Sequence, residues 1–283
     1  MIARWTFFRT LTLLIFCAAT AGCGVLRPVE RSTSYLLIPP KAEAEMGREY
    51  AEQISEEYSL VDDQEAQQWL DQVGAKLVEH SRDSAQDFNF AFTESPEVNA
   101  FAIPGGFCYV NLGLVLYADN EAQVAAVVAH EINHVTGRHG IMNMQRAMGI
   151  GAVANLLLYQ FKDPRARAVA GIAAQGGTVL AMRNFSRADE READRWGVQA
   201  MYKAGYDPRQ AAAFFEKLAQ LHGGGTPGWL SQMMSTHPAT MERVNNIRRQ
   251  TEGYDLSKDL VVDTPEFRAL QEKLRAAYPD VRF

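Results

Sequence analysis

Apolar positions recur with two different periods along this chain. Between Lys41 and Ser59, Met46, Tyr50 and Ile54 stand four apart, and from about Asp63 to His80 the same spacing joins Trp69, Val73 and Leu77, so two amphipathic helices are predicted. Phe88, Phe90 and Phe92 then alternate with Asn89 and Ala91, the period of a strand. Phe107 to Asn111 is a second strand candidate, reached through Asn99-Ala100-Phe101-Ala102-Ile103-Pro104-Gly105-Gly106, whose paired glycines permit a tight hairpin turn. Glu121 to Val135 differs from all of these. Ala122 and the run from Val124 to Ala129 make it apolar on nearly every face, which predicts a helix buried along its whole length. Ile141 to Met182 is rich in Ala, Gly, Leu and Met and broken by Lys162-Asp163-Pro164-Arg165, which reads as two apolar helices joined by a charged turn. Neither arm offers the roughly 20 uninterrupted apolar residues of a membrane span, so a buried or cleft-lining hairpin is expected. Helices follow over Ser186 to Gly197 and Pro265 to Ala277. The expected fold class is α+β: a mainly helical domain with a small antiparallel β-sheet beside the buried helix.

That buried helix carries polar residues inward. His130, Glu131 and His134 form HExxH; four residues apart on a helix, the two imidazoles leave from one face and can share one metal ion. Glu131, next to the first ligand, is placed for its carboxylate to reach a water at the metal rather than the metal itself, which makes it a candidate general base. Burying these three groups as ordinary core residues would require a hydrogen-bond partner for each. A zinc site removes that requirement.

A hydrolytic zinc site with two histidines needs a third protein ligand and an open position. Glu190 and Asp194 lie four apart in SRADEREADRWG and share a helix face. Glu190 is the candidate third ligand, and Asp194, one turn on, the candidate acceptor for the second ring N–H of a ligating histidine. The alternative for each carboxylate is a surface ion pair with a neighbouring arginine. The metzincin pattern HExxHxxGxxH fits His130 through Gly137 but fails afterwards, because position 140 is glycine and His139 comes one residue early. His139 then reads as a hydrogen-bonding residue at a helix C-terminus, His80 and His222 as surface residues, and His237, followed by Pro238, as a loop residue or the cap of a helix that begins there.

Composition changes the picture mainly at the ends. The 283 residues, 47% hydrophobic and 22% charged, suit one domain with appendages. A net charge of −6 with no basic stripe argues against a nucleic-acid partner. Arg4 and Arg9, the apolar run Leu11 to Ala19 and Thr20-Ala21-Gly22-Cys23 resemble a bacterial lipoprotein signal, in which Cys23 becomes the acylated first residue. Thr20 stands where leucine is more usual, so a secreted soluble form is the alternative; Gly24 in place of aspartate favours the outer membrane, by resemblance to Gram-negative sorting. With Cys17 removed and Cys23 lipidated, Cys108 has no internal partner for a disulfide. The expected organisation is a signal peptide over 1–22, a lipidated tether over 23–40, a metallopeptidase domain over 41–252 and a C-terminal helical extension over 253–283.

HEINH, the later ExxAD of Glu190 to Asp194, the upstream NAFAIPGG and the downstream STHP of Ser235 to Pro238 occur in the order seen in the HtpX and CAAX-prenyl-protease type of zinc metallopeptidases, a gluzincin family that this chain resembles from roughly Gly47 to Arg249. The resemblance implies one Zn2+ per chain held by His130, His134 and Glu190, Glu131 as catalytic base, and His237 donating a hydrogen bond to the developing oxyanion. Membrane helices of the family between the two metal motifs are matched here only by the interrupted Ile141 to Met182 stretch, so intramembrane proteolysis is not carried over. Gly106, Phe107, Cys108, Tyr109, Val110 and Asn111 are expected to offer a sheet edge to an extended peptide. The function expected is a membrane-anchored zinc endopeptidase acting on unfolded or misassembled envelope proteins from the periplasmic side. The rival is a zinc-containing chaperone or assembly factor that does not cleave or is latent.

Overall fold

The computed structural model describes residues 31, 34–35, 38–146, 185–222 and 227–283. Cys23 and the signal segment, most of the tether, the Ile141 to Met182 stretch beyond residue 146 and the side chain of His222 lie outside the described residues. No described helix is long and apolar enough to cross a membrane.

Helices α1 (Pro40–Glu57) and α2 (Gln64–Glu79) form where the four-residue spacing placed them. Asp63 caps α2 by accepting from the backbone N–H groups of Glu65 and Ala66, two of the donors a helix start leaves unpaired. Three strands follow: β1 (Asn89–Thr93), β2 (Ala100–Ile103) and β3 (Phe107–Asn111), arranged β1-β3-β2. The hairpin turn is present. Gly105 and Gly106 have φ of 87° and 89°, and a Cβ on Gly106 would lie 2.0 Å from the Asp87 carbonyl oxygen.

Two expectations are corrected here. The sheet is mixed rather than antiparallel: β2 pairs with β3 antiparallel, but β1 runs parallel to β3. The reason is that Ala100–Ile103, read only as part of the turn motif, is a strand of its own and takes the hairpin position. As a result β3 is the central strand. Its two edges are filled by β1 and β2, so residues 106–111 cannot add an extended peptide.

A short helix, α3 (Leu112–Tyr117), leads into α4 (Glu121–Thr136), which Asn120 caps and which is buried at every position. The remaining helices are α5 (Arg187–Lys203), α6 (Arg209–His222), α7 (Gly228–Thr236), α8 (Met241–Thr251) and α9 (Pro265–Ala277). The main core runs through α2, β1, α3, α4, α6, α7, α8 and α9, with Phe92, Leu114, Val128, Phe214, Ile247 and Phe267 all buried in it. Helix α5 lies against α4 at close range because Gly197 faces it: a Cβ there would sit 3.3 Å from the Ala129 and His130 backbone. Glu190, Asp194 and Gly197 are spaced four and three apart, so the face that packs closely also carries the carboxylates.

Candidate metal centre

The apolar body of α4 fixes three side chains in the interior: His130, Glu131 and His134, each no more than 3% exposed. The two imidazoles meet edge to face at 75° with Nε2 atoms 2.9 Å apart. Helix α5 supplies Glu190, whose Oε1 is 3.3 Å from His134 Nε2 and whose Oε2 is 3.4 Å from His130 Nε2. His237 arrives from a third direction. Its Nδ1 is 2.9 Å from Glu190 Oε1 and 3.3 Å from His130 Nε2, and its Nε2 is 3.5 Å from Glu131 Oε1.

His237 closes α7 rather than opening the next helix. Pro238 denies it the helical conformation, leaving it at φ −131° and ψ 76°, and the cap of α8 is Thr240, which accepts from the Arg243 N–H. The expectation of a helix start at Pro238 is corrected accordingly.

One ligand atom from each of His130, His134, Glu190 and His237 lies within 4.8 Å of the others, all buried. Three imidazoles and a carboxylate crowded together away from water suit a borderline divalent ion such as zinc, so the donor set fits. Asp194 Oδ1 is 3.0 Å from His130 Nδ1, the ring nitrogen that points away from the cluster. Phe185 lies against His134, with ring centroids 3.9 Å apart. A cavity of about 190 Å³ opens beside Glu190, lined by Phe185, Arg187, Pro238 and Arg243 among others.

Sequence reasoning missed Arg243. This buried side chain of α8 donates from Nε and Nη2 to both oxygens of Asp194 (2.7 and 2.8 Å), and its Nη1 is 2.9 Å from Glu190 Oε2. Its guanidinium also stacks on the face of Phe215, 4.0 Å from the ring centroid. The one signal available was an arginine six residues after His237 on a helix whose apolar face, Val244 and Ile247, adjoins it.

The charges settle one another. Burial opposes ionisation of Glu190, but His237, Arg243 and His130 outweigh it and hold its carboxyl well below the ordinary value. Asp194 is likewise lowered, burial being overcome by Arg243 and His130. For His130, burial and the Arg243 cation work against a proton, and Glu190 and Asp194 prevail, lifting it to about 9. His134, equally close to Glu190, is nevertheless pushed well down by burial and by the neighbouring His130 charge. Negative charge held where cations converge is what a metal-binding carboxylate requires.

A buried helix presenting HExxH, with a glutamate delivered to the same point by a later helix, defines the gluzincin class of metallopeptidases. The chain belongs to peptidase family M48, whose pattern it matches over residues 64–251. It is 34% identical over 215 residues to the beta-barrel assembly-enhancing protease of Escherichia coli K12, covering 74% of this chain and 43% of that protein. It is 30% identical over 260 residues to a putative beta-barrel assembly-enhancing protease of Vibrio cholerae, covering 88% and 53%. It is also 34% identical over 171 residues to metalloprotease LoiP of E. coli K12, covering 58% and 63%. The chain thus spans about half the length of the assembly-enhancing relatives.

Proposed function

We propose that the chain is a zinc metalloendopeptidase that hydrolyses peptide bonds of unfolded or misassembled envelope proteins. The observation that carries this reading is the convergence of four buried donors within 4.8 Å, with the Glu131 carboxylate beside them. His130, His134 and Glu190 would hold one Zn2+, and the ion, when bound, would polarise the scissile carbonyl and lower the pKa of an attacking water. Glu131 accepts a proton from that water and returns it to the leaving amine. His237 Nε2, 3.5 Å from Glu131 Oε1, is placed to donate to charge developing on the carbonyl oxygen. Asp194 orients His130, and Arg243 holds Asp194 and Glu190 in place.

The edge available to substrate is that of β2. Asn111 donates to the Asn99 carbonyl, so Phe101 and Ile103 bond towards β3 while the N–H and C=O groups of Ala100 and Ala102 point the other way. Ala102, Ile103 and Pro104 line a small cleft together with His134 and Phe185. A peptide added to β2 would lie alongside the metal site.

The cellular setting rests on the relatives' names and on the Cys23 motif: a signal peptide over 1–22, a lipid-bearing tether over 23–40, the catalytic domain over 41–252 and the helical extension over 253–283, on the periplasmic side of the outer membrane, in protein quality control. A second reading, latency, is favoured by His237 itself. As a fourth ligand through Nδ1 it would leave no open position until the α7–α8 connection moved.

The test compares wild type with Glu131→Gln for zinc content and cleavage of an unfolded protein. Equal zinc with cleavage by wild type alone is expected. Equal zinc without cleavage by either supports latency or a chaperone role, and absence of zinc from both contradicts the ligand set.

A further inference from the structure

We propose that His139 and Glu192 form a positioning chain behind His134, braced by Arg31 of the N-terminal segment and by Arg82. The proposal rests on the reading of His134 as a metal ligand and extends it to side chains that touch no metal.

His134 turns its two ring nitrogens to opposite tasks. Nε2 points into the donor cluster, and Nδ1 points away from it, 2.9 Å from His139 Nδ1. Two nitrogens at that separation share one proton. A ligand through Nε2 must carry its proton on Nδ1, so His139 accepts at Nδ1 and presents its other ring nitrogen, Nε2, as the donor. That nitrogen faces Glu192 Oε2 at 3.7 Å. Glu192 Oε1 in turn accepts from Arg31 Nη2 at 2.8 Å and from Arg82 Nη1.

Local backbone makes the contact possible. On an unbroken helix, residue 139 would lie about 140° around from residue 134. Helix α4 instead ends at Thr136, and Arg138 adopts φ 55°, after which helical structure resumes at residue 139 with His139 fully buried against His134. Gly137 leaves room for the ring: a Cβ there would meet His139 Nε2 at 2.6 Å. Arg31 also donates to the Gly137 carbonyl at 3.3 Å, and Arg138 to that of Ile38 at 2.6 Å, so the N-terminal segment is fastened to the same break. The early histidine that spoils the metzincin pattern thus gains a role. It fixes the tautomer of a ligand from outside.

The full chain is made as wild type, His139→Ala, Glu192→Gln, Arg31→Ala and His134→Ala. Long-range 1H–15N spectra of the metal-free proteins report the His134 tautomer, and competition with a chelator reports Zn2+ affinity. Wild type is expected to hold the His134 proton on Nδ1. His139→Ala should lose that preference and bind Zn2+ about 10–100-fold more weakly, with smaller losses in the same direction for Glu192→Gln and Arg31→Ala. A wild-type tautomer and affinity in His139→Ala, or a His134 proton on Nε2 in wild type, overturns the proposal. Should His139→Ala not fold, Glu192→Gln decides, since unchanged affinity there contradicts the chain. Wild-type zinc affinity in His134→Ala would sink the ligand reading instead, while the tautomer, measured without metal, still decides whether His139 positions that ring.

Discussion

Arg243 holds two buried carboxylates, Glu190 and Asp194, that would otherwise repel each other along one face of α5. Removing one partner of a buried ion pair strands the other's charge, which typically costs about 3–5 kcal/mol. Arg243→Ala is therefore expected to lower the unfolding free energy of the metal-free protein, read from urea titrations, by an amount in that range. Arg243→Lys should recover only part of it, because an ammonium cannot bridge both oxygens of Asp194 and reach Glu190 together. The sign with pH follows from the direction of the shifts. Glu190 and Asp194 have folded-state pKa values below their ordinary 4.5 and 3.8, so their contribution is fully present above those ordinary values and is lost as pH falls below them, through the depressed folded-state values. Stability of wild type should decline on acidification below about pH 4.5. In Arg243→Ala, whose carboxylates have lost their main cation, the decline should be shallower.

At the level of elements, the site depends on how closely α5 approaches α4 and on which strand is left with an open edge. HExxH was legible because its signal is local: an apolar helix with polar residues at one spacing cannot be read in another register. Glu190 and Asp194 were legible for the same reason, being one turn apart on one face. Strand β2 was not, since Ala100 to Ile103 is four largely buried residues without polar alternation, and nothing in so short a run separates strand from turn. That omission reversed the expected sheet edge. Arg243 was hidden for a different reason, because its importance arises only where α4, α5 and α8 converge. The revised edge has a direct consequence. Ala102→Pro removes an outward N–H without touching the bonds to β3, so zinc binding should persist while kcat/KM for an extended peptide falls roughly tenfold, the worth of about one hydrogen bond of 1–2 kcal/mol. Unchanged cleavage would exclude β2 as the substrate edge.

Across the whole molecule, both ends of the described chain are tied to the helix that carries HExxH. The C-terminal helix α9 inserts Phe267, Leu270 and Leu274 into the same core as α4, and Gln271 donates to the Val115 and Ala118 carbonyls. Glu121, at the head of α4, accepts from Tyr206 at 2.7 Å and from Thr264. The helical extension expected over 253–283 thus packs on the domain through Phe267, Leu270 and Leu274, which lie in its main core. Phe267→Ala should cost about 3–5 kcal/mol, as for other fully buried aromatic side chains, and a loss below about 1 kcal/mol in thermal unfolding would mean that α9 packs only loosely. At this scale the bracing of Arg31 and Arg138 was not legible in the sequence, because it links residues about a hundred positions apart.

The central claim is that one zinc ion sits where His130, His134 and Glu190 meet. The most direct measurement is the anomalous difference map of zinc-loaded crystals at the zinc absorption edge. A single peak per chain is expected, about 2.0–2.2 Å from His130 Nε2, His134 Nε2 and a Glu190 oxygen. A map without a peak among those atoms, or with its main peak elsewhere, would contradict the account.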